Sequence, residues 1–364
     1  MSFFKTAKPF VIAGPCSAET REQALETAAA LSGMGIQLFR AGVWKSRTRP
    51  GSFEGNGAVA LGWLQEVKRL YKLPVTIEVA EPAHIELALR HGIDALWIGA
   101  RTTVNPFQVQ RLADALKGVP IPVMVKNPVN TDVDLWQGAI ERFEQAVAAE
   151  VAAIHRGFTG YKGVAGYRNQ PNWPIPIELK RRRPELTMIC DPSHITGDRG
   201  RIAEVSQKAM DMHFDGLMIE THPNPENAWS DAAQQITPQQ LQQLLAGLVV
   251  REEFTSDMTG LMQLEYLRQL MDSLDAEIID LLARRMELST QMGDVKRACN
   301  MTAFQPGRWR EIVETRGTQA QARLLSKEFI VELYERIHHE SISKQLGVLE
   351  GGVLPAVRES TTPT

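Results

Sequence analysis

Eight short apolar runs, each followed by a segment with helical spacing, organise the first two thirds of the chain. The runs cover residues 10–13, 36–39, 75–79, 95–98, 121–125, 151–154, 186–189 and 217–219. Between them, residues 22–34, 58–70, 83–91, 108–116 and 135–149 place apolar side chains three and four apart, as a helix with one buried face does. Strands recurring every ~20 to 40 residues with helices between them predict repeated strand–helix units around a buried parallel sheet. Eight such units within residues 1–248 predict a (β/α)8 TIM barrel in preference to an open doubly wound sheet. No G-x-G-x-x-G follows the first run, which counts against dinucleotide binding.

The pattern changes after residues 249–260, which read as a linker. From Leu261 a long helix is predicted: Leu267, Leu274, Leu281, Leu288 and Val295 recur at every seventh position, with Leu264, Met271, Ile278 and Met292 beside them. At 1.5 Å per residue this helix is about 57 Å long, too long for a small domain to bury alone. A smaller all-α domain over residues 261–350 that dimerises is therefore expected, with a disordered tail over residues 351–364. The seam has one interruption, Arg285, and Lys296 faces the same side 11 residues later. Two cations buried without a carboxylate on their face call for an anionic ligand. Arg268 lies about 100° away around the helix and serves another surface. In the last helix Leu333, Ile337, Ser341 and Gln345 form a row that turns from apolar to hydrogen-bonding, and Gln305-Pro-Gly-Arg308-Trp309 opens the helix between. A dimerisation coiled coil with one register-setting polar residue is the alternative, but the five polar groups together favour a pocket for a small dianion.

Charge and composition narrow the class. A net charge of −3 argues against a nucleic-acid or anionic-membrane partner. No apolar stretch reaches the roughly 18 residues of a membrane span, and the N-terminus is a poor signal peptide. Three scattered cysteines suit a reducing cytoplasm.

The chemistry sits at the strand ends, which carry Cys16, Arg40, Glu78, Arg101, Lys126, Arg156, Asp191 with His194, and Glu220. In a barrel all of these converge on the C-terminal mouth, where this architecture builds its active sites. Arg40, Arg101, Lys126, Arg156 and the run Lys45-Ser-Arg47-Thr48-Arg suit phosphates and carboxylates. Cys16, His194, Glu220 and Asp231 supply a mixed sulfur, nitrogen and oxygen set for one catalytic divalent ion such as Mn, Fe, Co or Zn. His222 is a candidate partner for the metal ligands, and the glutamine-rich residues 234–243 read as the last barrel helix.

Gly14-Pro-Cys-Ser17, Phe39-Arg-Ala-Gly42, Lys45-x-Arg-Thr48, Ile98-Gly-Ala-Arg101, Asp191-Pro-Ser-His194 and Gly216-Leu-Met-Ile-Glu220 with Asp231 strongly resemble 3-deoxy-D-arabino-heptulosonate 7-phosphate (DAHP) synthase. The likeness is to the short microbial subtype that is also similar to octulosonate 8-phosphate synthases, which are the alternative. It implies condensation of phosphoenolpyruvate with erythrose 4-phosphate. It further implies that Cys16, His194, Glu220 and Asp231 hold the metal, and that Arg101, Lys126 and Arg156 grip the phosphate of phosphoenolpyruvate. Arg40 and Lys45 would contact its carboxylate, with Lys45 a candidate proton donor. Arg47 and Thr48 would bind the aldose phosphate, and Asp191 the sugar hydroxyls.

Residues 261–347 closely resemble the all-helical chorismate mutases through Arg268, Asp275, Arg285, Lys296, Arg308, Ser341 and Gln345. That resemblance implies rearrangement of chorismate to prephenate, with Arg285 and Arg308 on substrate carboxylates and Arg268 reaching in from a partner chain. It puts Lys296 and Gln345 on the ether oxygen. Trp309 departs from the pattern, standing where an acidic residue often follows the middle-helix arginine, and Gln305 stands where some members carry Asp. The fusion implies a homo-oligomer, at least a dimer through the helical domain, and feedback inhibition of the barrel by prephenate or chorismate.

Overall fold

The computed structural model describes residues 3–45, 51, 53–147, 149–160, 166–252 and 254–351. Arg47, Thr48 and most of the tail lie outside the described residues. The chain divides into two compact units, Met1–Phe254 and Thr255–Thr364.

In the first unit, β1 (Phe10–Gly14), β2 (Leu38–Arg40), β3 (Val75–Val79), β4 (Ala95–Ile98), β5 (Val123–Lys126), β6 (Val151–His155), β7 (Met188–Cys190) and β8 (Gly216–Glu220) close a barrel in sequence order. Every pairing is parallel, and β8 returns to β1 with Glu220 opposite Gly14. The intervening helices are α1 (Arg21–Leu31), α2 (Ala58–Tyr71), α3 (Pro82–Arg90), α4 (Ala100–Thr103), α5 (Pro106–Ala115), α6 (Val133–Ala146), α7 (Pro174–Arg182), α8 (Pro192–Thr196), α9 (Ile202–Asp211) and α10 (Pro238–Gly247). All eight predicted runs are strands, displaced by at most two residues at most ends. The glutamine-rich stretch leads into the last barrel helix, and α10 starts at Pro238, where the Thr237 side chain and Gln240 form a reciprocal cap.

Strand alternation sorts the two cores. Val11, Ala13, Phe39, Leu96, Val125 and Leu217 face the helices, in the larger cluster. Phe10, Ile12, Leu38, Ala95, Trp97, Met124, Ile154, Ile189 and Met218 fill the interior. Phe3 and Phe4 join Phe10 in that interior, held by Glu150, whose Oε2 accepts from both of their backbone N–H groups at 2.6 and 3.2 Å. The same period of two then delivers the chemistry. Counting two residues on from Leu38, Met124, Ile154, Ile189 and Met218 gives Arg40, Lys126, Arg156, Asp191 and Glu220. Each charged group is the next inward position of a strand whose preceding inward residue is apolar.

The second unit comprises α11 (Met258–Ala298), α12 (Pro306–Gln321) and α13 (Lys327–Leu349). Asp257 and Ser326 cap α11 and α13 through their side chains. The heptad seam of α11 is largely exposed: Leu267, Leu274, Leu281, Leu288 and Val295 are between 53% and 61% accessible. None of the described helices is long and apolar enough to cross a membrane.

Candidate active sites in the barrel and the helical unit

One cavity of about 590 Å³ opens at the C-terminal mouth, and nearly every charged strand end lines it. Trp97 forms its floor, donating from Nε1 to Glu78 Oε2 at 2.8 Å. The Arg40 guanidinium lies 5.1 Å from the Trp97 ring centroid and the Lys126 ammonium 5.8 Å. Arg40 donates from Nη2 to Glu220 Oε1 at 2.9 Å, and Lys126 donates to Asp191 Oδ2 at 2.9 Å. Both pairs are buried. Among the described residues, Arg40 Nε and Nη1 are nevertheless buried without a hydrogen-bond partner. A guanidinium half-satisfied in this way is costly to keep dry unless an oxyanion completes it.

Cys16 is delivered by a strained turn. Gly14 has φ +145°, and a Cβ there would stand 2.2 Å from the Arg40 carbonyl oxygen, so only glycine fits. The Cys16 backbone N–H then donates to Gln235 Oε1 at 3.0 Å. Cys16 Sγ, Glu220 and Asp231 offer ligand atoms all within 4.8 Å of one another. His194 flanks this group, with Nε2 3.8 Å from Glu220 Oε1. It is presented by α8, whose N-cap Asp191 accepts from the His194 backbone N–H at 3.1 Å. Its Nδ1 is 2.8 Å from Asp191 Oδ2, without the alignment of a hydrogen bond.

Electrostatics fit this donor set to a cation. Burial, then Glu220, pushes the Cys16 thiol up to about 12, against the opposing Lys45. The thiol proton donates to Asp231 Oδ2 at 3.3 Å, and Lys45 Nζ donates to the sulfur. Burial raises the Asp231 carboxyl, but Arg168, His194 and Lys45 outweigh it and hold it well below the usual range. Burial also lowers His194, leaving the neutral imidazole that a metal requires. A buried thiol beside two carboxylates needs a positive charge, and a divalent ion would release the thiol proton.

The helical unit gathers a second polar cluster. Lys296, Ser341 and Gln345 are each at most 7% accessible, in a unit where few side chains are buried. Lys296 donates to Gln345 Oε1 at 2.8 Å and to the Ala303 carbonyl at 2.6 Å. Arg285 donates to Ser341 Oγ. Burial lowers the pKa of both cations, and no carboxylate faces either among the bonds described.

A model of the DAHP synthetase I family matches residues 5–255, more than half of the chain. The chain belongs to that family. Its helical part, residues 267–346, matches chorismate mutase type II, so a DAHP synthase domain is fused to a C-terminal chorismate mutase domain. A phospho-2-dehydro-3-deoxyheptonate aldolase of Thermotoga maritima is 30% identical over 62% of this chain and 64% of its own length. The chain therefore spans less than two thirds of that relative. A 2-dehydro-3-deoxyphosphooctonate aldolase of Legionella pneumophila is 27% identical over 67% of this chain and 92% of its own. The crystal structure of the Thermotoga maritima DAHP synthase superposes with a TM-score of 0.58 at 27% identity, covering 65% of this chain and 67% of that one.

Within the DAHP synthase domain, Cys16, Arg40, Lys45, Arg101, Lys126, Arg156, His194, Glu220 and Asp231 all line the cavity, and Asp191 lies beneath it, paired with Lys126. Arg156 is fixed by Asn169, whose Oδ1 accepts at 2.8 Å, and burial brings its pKa down to about 10. The partners of His222 are Glu19, 3.6 Å from its Nε2, and the Asn224 backbone N–H, which donates to its Nδ1. Arg168, Gln234 and Gln235 were not anticipated. Arg168 donates to Asp231 Oδ1 at 2.9 Å, and Gln234 donates to Glu220 Oε2 at 2.7 Å. The one signal for Arg168 was a cation in the long connection after β6, on the mouth side of the barrel. In the mutase domain, Arg308 pairs with Glu311 at 2.7 Å and Arg268 sits 3.9 Å from Glu265, both largely exposed. Among the described residues neither hydrogen-bonds or ion-pairs with the Arg285 and Lys296 cluster.

Proposed function

We propose that the barrel condenses phosphoenolpyruvate with erythrose 4-phosphate to DAHP and inorganic phosphate, and that the helical unit rearranges chorismate to prephenate. The observation that carries the first reading is Arg40, its Nε and Nη1 unsatisfied, in one cavity with Lys126, Arg156, Arg101 and the Cys16 cluster. Four cations suit a ligand bearing both a phosphate and a carboxylate. Cys16, His194, Glu220 and Asp231 would hold one divalent ion, which when bound supplies Lewis acidity toward an aldehyde oxygen. Arg40 and Lys126 fix phosphoenolpyruvate over Trp97, so that its enol carbon forms the new carbon–carbon bond to the aldehyde carbon. Water adds to the resulting cationic centre and phosphate departs. Lys45 stands at Cys16 Sγ and can give a proton to the oxygen of the former aldehyde.

The second activity needs no nucleophile. Lys296 and Gln345 already meet each other and would share the ether oxygen, while Arg285 holds a carboxylate. The bare α11 seam supports pairing with a second copy, which would bring Arg268 to the site. Arg308 reaches a substrate carboxylate by leaving Glu311. The fusion supports inhibition of the barrel by bound prephenate or chorismate, and the free, buried Cys16 and Cys190 suit the cytoplasm.

The test assays the full chain for phosphate release with erythrose 4-phosphate and with arabinose 5-phosphate, and for chorismate loss by absorbance. Turnover with the four-carbon aldose is expected; turnover with arabinose 5-phosphate alone would assign the octulosonate reaction. Arg285→Ala should lower mutase kcat/KM by about 10²- to 10³-fold. Unchanged mutase activity in that variant would reduce the helical unit to a dimerisation or regulatory module. Phosphate release unaffected by prephenate at any concentration would remove the feedback reading.

A further inference from the structure

The polar row of α13 has a member that the chorismate mutase reading leaves without a task. His338 lies three residues before Ser341 and seven before Gln345, which puts all three on one face of the helix. Ser341 accepts from Arg285 and Gln345 accepts from Lys296, so both neighbours on that face are engaged at the cationic cluster. His338 Nε2 is buried and has no hydrogen-bond partner among the described residues. A buried ring nitrogen in that state is unfavourable, because it has given up water and received nothing in exchange.

What fixes the ring is Trp309. The two rings stack with centroids 4.5 Å apart and planes 16° from parallel. Trp309 follows Arg308 at the position where an acidic side chain is often found in proteins of this pattern. An indole offers one N–H donor and no acceptor, so it cannot replace a carboxylate toward a ligand. Its flat face can, however, hold another ring in place. Burial, and after it the charges of Arg285 and Lys296, lower the His338 pKa, so the imidazole is neutral and can either donate or accept at Nε2.

We propose that His338 is a further ligand-contacting residue of the helical unit, its Nε2 hydrogen-bonding the ring hydroxyl of the bound dicarboxylate while Trp309 holds the imidazole in place. The assignment to the hydroxyl follows from charge matching. The two carboxylates of such a ligand are served by arginines and the ether oxygen by Lys296 with Gln345. The hydroxyl is the remaining polar group, and it both donates and accepts, as a neutral imidazole does. The inference rests on the mutase reading above.

The experiment uses the full chain and compares wild type with His338→Phe, which keeps a ring to stack on Trp309 but removes the nitrogen, and with His338→Gln, which keeps a polar group. Mutase kcat/KM is measured with chorismate and with its analogue lacking the ring hydroxyl. Wild type should prefer chorismate; His338→Phe should lose about tenfold with chorismate and little with the deoxy analogue, so that the preference shrinks. His338→Gln should recover part of it. A preference of the same size in wild type and His338→Phe overturns the proposal. If His338→Phe loses helical circular dichroism, the comparison of wild type with His338→Gln decides in its place, and an undiminished preference there also overturns it. Failure of the mutase reading itself looks different: wild type would not consume chorismate, or Arg285→Ala would match it.

Discussion

The two units meet the problem of buried charge in opposite ways. In the barrel, Arg40 pairs with Glu220 and Lys126 with Asp191 inside one chain, and side chains from widely separated strands complete the site. In the helical unit, the partners of Arg285 and Lys296 among the described residues are neutral: Ser341, Gln345 and a backbone carbonyl. Its longest helix shows its apolar seam to solvent, and Arg268 and Arg308 stay outside the cluster. A closed barrel brings eight strand ends to one mouth whatever the chain does elsewhere. Three helices have no such mouth, so their site depends on what packs against them.

This contrast is sharpened most by a change confined to the metal ligands. Glu220→Gln keeps the size of the side chain but gives up the charge that faces Arg40, Cys16 and a bound ion. Loss of a ligand should exceed the roughly 10- to 100-fold cost of losing a residue that merely supports one, so phosphate release should fall by more than about 100-fold. A chelator should do the same to the wild type, and added Mn, Fe, Co or Zn should restore it. Chorismate consumption should change in neither case, because among the described residues the clustered metal-ligand candidates are Cys16, Glu220 and Asp231, all in the barrel. A chelator that stopped both reactions alike would show that the two sites are not independent in this sense.

A smaller effect should come from the exposed seam. Leu274 is 57% accessible at the middle of α11. Leu274→Glu puts a charge where a second copy would pack, and each apolar side chain buried there contributes about 1.5–3 kcal/mol. The mass measured by light scattering should fall toward that of one chain at low concentration, and mutase activity should fall with it. An unaltered mass would mean that the seam is covered by something other than a second copy.

How far these arrangements were legible in the sequence follows from the same contrast. The barrel ligands could be found because strand alternation is local: two residues after Leu38 or Met218 the next inward side chain is Arg40 or Glu220. Heptad spacing made Arg285 and Lys296 visible for a similar reason. Arg168, Gln234 and Gln235 were hidden because they stand on connections, whose paths are set by contacts across the whole barrel. A run of glutamines carries helix propensity, and nothing local marks two of them as the hands that hold Glu220 and Cys16.

The smallest effect concerns a buried base that lies next to the site and takes no part in it. His155, at the end of β6, points away from Arg156 into Trp136, Phe158, Trp173 and Phe214, whose ring centroids lie between 5.2 and 6.4 Å away. Among the described residues neither ring nitrogen has a well-aligned hydrogen-bond partner. Burial, and then the charge of Arg156, lowers its pKa from 6.5 to about 3. Below pH 6.5 the unfolded chain takes up a proton that the folded chain refuses, so stability is complete above that pH. It is lost as the pH falls toward 3, at up to about 1.4 kcal/mol per pH unit. His155→Phe keeps an aromatic ring among aromatic rings and removes the proton acceptor. With metal stripped from both proteins, so that ligand protonation contributes equally, urea unfolding followed by tryptophan fluorescence at pH 7 and pH 4.5 should show a smaller drop for the variant. Parallel losses in the two proteins would mean that His155 does not set the acid sensitivity of the barrel in this interval. The carboxylates act at lower pH: burial raises Asp191, but His194 and Lys126 outweigh it and hold it low, so its contribution is complete above its ordinary value of 3.8 and is lost only below that, outside the interval from pH 7 to pH 4.5.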